Sequence, residues 1–398
     1  MTWLSAPIRS VAQVVTGNTP PKSDEANYGD DVPWVKPPEL GSTEPIVATS
    51  EMLSVQGAER ARVLPKDAVL VSCIGSIGRV GIAGIPLATN QQINSVVCGP
   101  ALLPRFAMYW FMHSADALSA AANNAVVPIL NKGNFEKMPI PVWPLREQSR
   151  IVELLDEADR LRRLRREADV KAARILPALF LKMFGDPATN PMRWLIASFA
   201  NTFDDTTAGN EKLQSSQFLE AGKIAVVDQG QSQIAGYSDD VSLAYRGKLP
   251  AIVFGDHTRI FKFIDHPFVL GADGVRVLTP KPKVNPLFAY WHCKLLNIPS
   301  AGYSRHFKYL KEKSFICPDE ALQNRFSDLT QTAMSQTAVL EKAAAKVEQI
   351  FSVLLDNAFS GQLTAQWREA HMKELLAEIE QQARLLDLPM PIERDALL

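Results

Sequence analysis

The strongest constraint in this 398-residue sequence is a duplicated helix. Residues 146–184 contain no glycine, and Ile151, Leu154, Ala158, Leu161, Ala168, Ala172, Ile175 and Leu179 fall on alternating three- and four-residue steps. That is the seam of a coiled-coil helix. Residues 320–359 repeat it through Leu322, Phe326, Leu329, Ala333, Leu340, Ala343, Val347, Ile350 and Leu354. The stretches superimpose at a constant offset of 175, which also carries Gln148 onto Gln323, Arg150 onto Arg325 and Phe184 onto Phe359. Any two apolar seams align somewhere, but matched polar flanks and a matched terminal Phe indicate two copies of one plan. Each helix would be roughly 60 Å long. A narrow apolar stripe of that length needs a partner, and the repeat mate is the obvious one. Arg165 and Gln336 interrupt the seam, and Pro177 is expected to kink or end the first helix.

Before each helix lies a stretch of short β-like runs broken by Gly, Pro and Asn. In the first half these are 67–84, turning at Gly75 and Gly78, and 90–99; in the second they are 222–230, 251–256 and 273–280. Short helices opening at Pro104 and Pro286 follow. The predicted fold class is therefore α+β: two globular mixed α/β domains joined by two long antiparallel coiled-coil spacer helices, in a pseudo-twofold internal repeat. The expected boundaries are domains at 1–145 and 186–318, spacer helices at 146–185 and 319–361, and an amphipathic tail at 362–398. In that tail Leu375, Leu376, Ile379, Ala383 and Leu386 keep helical spacing, suited to covering the spacer or binding a partner.

The formal net charge is −1, so no long-range field draws the whole molecule to a polyanion, and any such site must be local. Residues 193–318 carry 15 Lys/Arg against 11 Asp/Glu, which puts the positive excess in the second domain. Cys73, Cys98, Cys293 and Cys317 lack C-x-x-C spacing and read as reduced thiols. The opening MTWLSAPIRS has no signal-peptide apolar core, and no apolar run approaches the roughly 18 residues of a membrane span. The reading is a cytoplasmic protein with no membrane association.

The helix entries IPVWPLREQSRIVELLDEAD (140–159) and LLDNAFSGQLT (354–364) resemble those of the specificity subunits of Type I restriction–modification systems. VVDQGQSQIAGYSDD (226–240), FGDHTR (254–259), GADGVRVL (271–278) and AGYSRHFKYLK (301–311) are similar to one common type of target-recognition domain. VPWVKPPEL (32–40), GSIGRVG (75–81) and TNQQINSVV (89–97) are similar to another. The resemblance implies a non-enzymatic reader of double-stranded DNA, with each domain recognising one half of a split site and the spacer setting the gap. It also implies docking of two adenine-N6 methyltransferase subunits that bring S-adenosylmethionine, and of restriction/translocase subunits that use ATP and Mg. No cofactor or metal is expected on this chain itself.

In the second domain the residues point to His257, Thr258 and Arg259 at a strand end, and to Tyr303, Arg305, His306 and Lys308, where cations interleave with aromatic rings. Gln231 and Tyr237, in a glycine-bounded loop, add amide and hydroxyl groups. Such side chains pair with phosphates and base edges. In the first domain Ser76, Arg79, Asn90 and Gln91 follow tight glycine turns, and Lys132 is a further candidate. Each of these also suits a plain turn. Asp256 beside His257 admits a metal-dependent nuclease reading, although no H-E-x-x-H or comparable spacing occurs. A structural coiled-coil scaffold is the other alternative. The run RLRRLRR (160–166) spreads its arginines around a helix among acidic neighbours, which favours a solvated or partner-facing rod over a DNA site.

Overall fold

Each spacer helix is entered through the same hydrogen-bonded corner, formed twice. In the computed structural model, which describes residues 4–123, 126–272, 274–300, 302 and 305–387, Gln148 is fully buried. Its Nε2 donates to the carbonyls of Ala101 and Trp143 at 2.8 and 2.7 Å, and its Oε1 accepts the Leu103 N–H at 2.8 Å. Gln323 does the same, donating to Lys283 and Pro318 at 3.4 and 2.8 Å and accepting the Asn285 N–H at 2.9 Å. A buried amide with both ends occupied fixes one geometry, because leaving either end unpaired costs about 1–3 kcal/mol. The matched Gln pair in the sequence thus has one structural job.

The chain divides into two units, Met1–Arg165 with Ala344–Leu398, and Arg166–Ala343. In the first, Leu4–Pro7 pairs with Pro139–Val142. A five-stranded sheet runs in the order Ala12–Thr16, Ile93–Cys98, Val69–Ser72, Val80–Ala83, Pro45–Ile46. A four-stranded sheet of Met52–Leu53, Tyr28–Val35, Leu87–Thr89 and Val63–Leu64 completes the head. The glycine turn predicted inside 67–84 joins two of these strands, with Gly75 and Gly78 at φ +75° and +84°, a conformation glycine adopts without strain.

The second unit repeats the ribbon as Leu195–Ser198 against Ser314–Cys317 in the same register: Ala6 faces Ile140 in one and Ala197 faces Phe315 in the other. Its two four-stranded sheets have other orders. One is Phe203–Asp205, Val275–Pro280, Ala251–Gly255, Phe261–Ile264; the other is Lys212–Leu213, Phe268–Gly271, Ile224–Val227, Gly236–Ser238. Helices Pro104–His113 and Pro286–Leu295 follow, each with Pro in its first turn, where the missing N–H is no loss. The bases of the heads repeat; their outer sheets do not.

The spacer seam differs from the sequence expectation. The second helix is continuous over Glu320–Phe359, but the first is Leu145–Ala172 followed by Ile175–Phe184, with Pro177 inside the first turn of the second piece. Ile151 and Phe326 are buried and Leu154, Val347 and Leu354 half-buried, whereas Leu161, Ile175, Leu329, Leu340 and Ile350 are 38–58% exposed. The buried line of the first helix is instead Ile151, Leu155, Asp159 and Arg162. Charged partners set this face. Asp156 accepts from Arg105 and Tyr109 of the head at 2.5 and 2.6 Å. Asp159 accepts from the Thr43 hydroxyl and pairs with Arg162 at 2.6 Å and Arg163 at 3.1 Å. Arg162 also reaches Glu348 at 3.5 Å and stacks over Phe351. An apolar periodicity cannot register such contacts. With Glu147 meeting Thr364 and Arg162 meeting Glu348, the helix segments of this unit run antiparallel.

The tail forms helices Ala365–Ala370 and Met372–Leu385. Leu375, Ile379 and Ala383 are buried, the first two in the first unit's main core with Leu102, Phe106 and Trp143. Cys73 and Cys293 are buried free thiols; burial pushes the Cys73 thiol up to about 11. No helix among the described residues is long and apolar enough to cross a membrane.

Candidate nucleic-acid interface

In the second unit four loops distant in sequence meet at the end of the strand Ala251–Gly255. Asp256 is their hub. Its N–H donates to Gly274 O at 2.6 Å, and its carbonyl accepts the N–H of His306 at 2.9 Å and lies 2.8 Å from His306 Nδ1. Its carboxylate accepts the Phe307 N–H at 2.7 Å. Gln229 ties in the fourth loop: its side-chain oxygen accepts the His257 N–H at 3.2 Å and its carbonyl accepts the Thr258 hydroxyl at 2.6 Å. Gly274, at φ +75°, lies so close to Gln229 and His257 that a Cβ there would fall 2.6 Å from the Gln229 amide.

This arrangement sorts the sequence candidates. Gln231, Thr258, Arg259, Arg305 and Lys308 are exposed on the cluster or its flanks, and His257 and Tyr237 are half-buried. Arg259 takes a left-handed φ of +63° and donates to Ile298 O at 3.0 Å. His306 is only 1% exposed, so as a DNA contact it is corrected to a buried brace. Tyr303 lies outside the described residues. Lys308 sits 4.8 Å from the Tyr309 ring, and Arg276 and Lys311 stack on Phe307 at 4.9 and 4.8 Å. The aromatics hold the cations in place rather than standing out as stacking surfaces.

The nuclease reading fails on the same geometry. Asp256 is 1% exposed and its carboxylate is occupied by a backbone N–H. Among the described residues no group of three or more His, Cys, Asp or Glu could hold a metal ion.

Sequence reasoning missed Asp228 and Lys262. Lys262 is 2% exposed and its Nζ lies 3.3 Å from Asp228, which also accepts the Gly230 N–H at 2.8 Å. Burial pulls the Lys262 pKa below its usual value, partly offset by Asp228. The pair shapes the loop that carries Gln229 and Gln231. Its only sequence signal was a lysine alternating with Phe261 and Phe263 in an otherwise apolar strand.

In the first unit the turn after Val69–Ser72 is closed by Ser72, whose hydroxyl donates to Ser76 O and accepts the Arg79 N–H at 2.9 Å. The Arg79 guanidinium donates to the carbonyls of Pro38, at 3.1 Å, and Leu40, so it pins a neighbouring turn while the residue stays exposed. Asn90 is 6% exposed and folded onto Gln92. Asn90 departs from the contact role expected of it, because its turn needs its polar groups internally. Ser76, Gln91 and Lys132 are exposed. Ser76 and Lys132 sit on neighbouring segments, joined by Gly75 N to Pro128 O and Leu130 N to Cys73 O at 3.1 and 2.9 Å.

Two unlike heads stand on duplicated helical bases, each presenting polar loops. Comparison with known proteins places this arrangement beside one family. Residues 2–171 match the family model of the Type I restriction modification DNA specificity domain. The chain is 38% identical over 97 residues to the Type I restriction enzyme HindI specificity subunit of Haemophilus influenzae, spanning 24% of this chain and 21% of that protein. It is 25% identical over 190 residues to the MjaIX specificity subunit of Methanocaldococcus jannaschii, spanning 46% and 44%. It thus spans less than half the length of these curated relatives. The fold is similar to that of the Type I restriction–modification S subunit from M. genitalium, with TM-score 0.54, 17% identity and coverage of 90% and 96%. It is also similar to a chain from a structure on complex assembly and conformational transition of the type I R-M system, with TM-score 0.55, 15% identity and coverage of 91% and 98%.

Proposed function

We propose that this chain is the DNA-sequence-recognition subunit of a Type I restriction–modification system, each head reading one half of a bipartite site in double-stranded DNA. The observation that carries this is the duplicated base under dissimilar loops. The Gln148 and Gln323 corners hold two heads in equivalent settings while their outer loops differ, as a split, asymmetric target requires. The spacer helices, with Leu161, Ile175, Leu329, Leu340 and Ile350 exposed, supply apolar surface for two adenine-N6 methyltransferase subunits. Those partners would bind S-adenosylmethionine and carry out base flipping and methyl transfer. Restriction/translocase subunits would bring ATP and Mg. This chain supplies address and geometry, and its place of work is the cytoplasm.

Long-read methylation mapping of host DNA with and without the gene tests the reading. A split N6-methyladenine motif should vanish on deletion and return on complementation. Exchanging residues 193–318 for those of a relative should change one half of the motif and leave the other. An unchanged methylome, with no sequence-selective DNA binding when the methyltransferase is present, would leave a protein-binding scaffold instead.

The exposed cations give a graded test. Arg305→Ala and Lys308→Ala should each weaken binding about equally across sequences and lower the salt slope of log K by about one. Gln231→Ala should instead relax discrimination at one position, by about 1–3 kcal/mol. Unchanged salt slopes in both cation variants would remove 305–311 from the interface.

A further inference from the structure

The two domain bases are built alike but covered differently. Gly99 N donates to Val11 O at 2.8 Å in the first unit, and Lys281 N to Thr202 O at 2.9 Å in the second. Together with the two Gln corners and the two ribbons in common register, this makes Val11, Leu102, Phe106, Trp143 and Gln148 the counterparts of Thr202, Val284, Phe288, Pro318 and Gln323. Over the first base lies the chain's own tail helix, Met372–Leu385. Leu375 and Ile379 are buried in the same cluster as Leu102, Phe106 and Trp143. Gln382 Nε2 donates to Trp143 O at 3.3 Å, the carbonyl that Gln148 also engages. Leu386 lines a pocket with Val11 and Gly99.

In the second unit the corresponding residues line a cavity of about 250 Å³, bounded by Thr202, Val284, Phe288, His292, Pro318 and Gln323 among others. Its wall is mainly apolar. His292 is 1% exposed, and its Nδ1 has no hydrogen-bond partner. Pro318 O, the counterpart of Trp143 O, accepts from Gln323 at 2.8 Å and as a carbonyl retains a second lone pair. Among the described residues, the one helix Met372–Leu385 is matched by two seats of one design, and it fills the first.

We propose that the second cavity seats an amphipathic helix supplied by another polypeptide and patterned like the tail. Apolar side chains at i and i+4, as Leu375 and Ile379 are spaced, plug the cavity. An amide three residues further on, as Gln382 is, donates to Pro318 O. Leu322 stands where Glu147 stands in the first base, so this helix needs no counterpart of Arg368.

The test uses a synthetic peptide of residues 364–387, titrated calorimetrically into the full chain and into a chain ending at residue 361. The expected stoichiometry is one peptide per full chain and two per shortened chain. Cys317→Trp, which fills the cavity wall, should abolish the single site of the full chain and leave one of the two on the shortened chain; Val284→Trp does the same from the rim if the first variant fails to fold. No binding to the full chain with one site on the shortened chain overturns the proposal. So does a full-chain site that survives both tryptophans. The full-chain titration decides the matter even if the shortened chain does not fold.

Discussion

Glu147→Ala is expected to destabilise the first unit by about 3–5 kcal/mol, the cost of leaving a buried charge without its partner. Glu147 is fully buried, and one carboxylate oxygen accepts from Arg368 Nε and Nη2 at 2.8 and 2.6 Å and from the Thr364 hydroxyl at 2.6 Å. Arg368 in turn donates to Gly361 O at 2.9 Å, where the spacer helix gives way to the tail. Removing the carboxylate strands a guanidinium against the core and frees the tail. The exposed Arg146–Glu374 pair, at 3.5 Å, joins the same tail but should contribute no more than about 1 kcal/mol. Urea unfolding of E147A, R368A and the E147L/R368L double variant separates these contributions. The double variant should recover a good part of the loss. Single variants within about 1 kcal/mol of the parent would show that the node does not anchor the tail.

Acid should destabilise the second unit through one histidine. His292 Nε2 accepts the Ile316 N–H at 3.1 Å, so the ring's proton is on Nδ1. Phe180, Phe288 and Phe315 surround it. Burial drives its pKa down from 6.5 to about 4. Between those values the unfolded chain holds the extra proton and the folded chain does not, so stability falls as the pH is lowered. The loss from this group starts near pH 6.5, is complete below about pH 4 and amounts to about 3 kcal/mol. A proton on Nε2 would also set donor against donor at Ile316. Hydrogen exchange over 286–295, compared between about pH 7 and pH 4.5, should show the loss in the parent and little of it in His292→Gln. Equal pH dependence in both would assign the effect elsewhere.

The two-copy plan was legible because its markers are local and chemical. Gln148 and Gln323 are polar residues at matched places beside an apolar seam, and the structure gives them one shared corner. The strands around Gly75 and Gly78, and those at 224–227 and 251–255, were legible from alternation and turn residues. The buried face of the first spacer was not. A stripe through Leu154 and Leu161 is the better hydrophobic pattern, yet Asp156, Asp159 and Arg162 turn the helix toward Arg105, Tyr109 and Thr43. Among site residues, exposure could not be read from residue type. Arg305 and Lys308 face outward while His306 between them is buried, and Asn90 serves its own turn.

The sequence by itself therefore determined the repeat, with its matched Gln148 and Gln323, and the α+β class, since both follow from residue spacing along the chain. Only the tertiary structure decided which polar groups are left for a ligand. Asp256 becomes a hub because loops near 229, 274 and 306 converge on it, and the tail settles on one base while the other keeps its cavity. Those outcomes depend on long-range hydrogen-bond satisfaction, which residue spacing does not record.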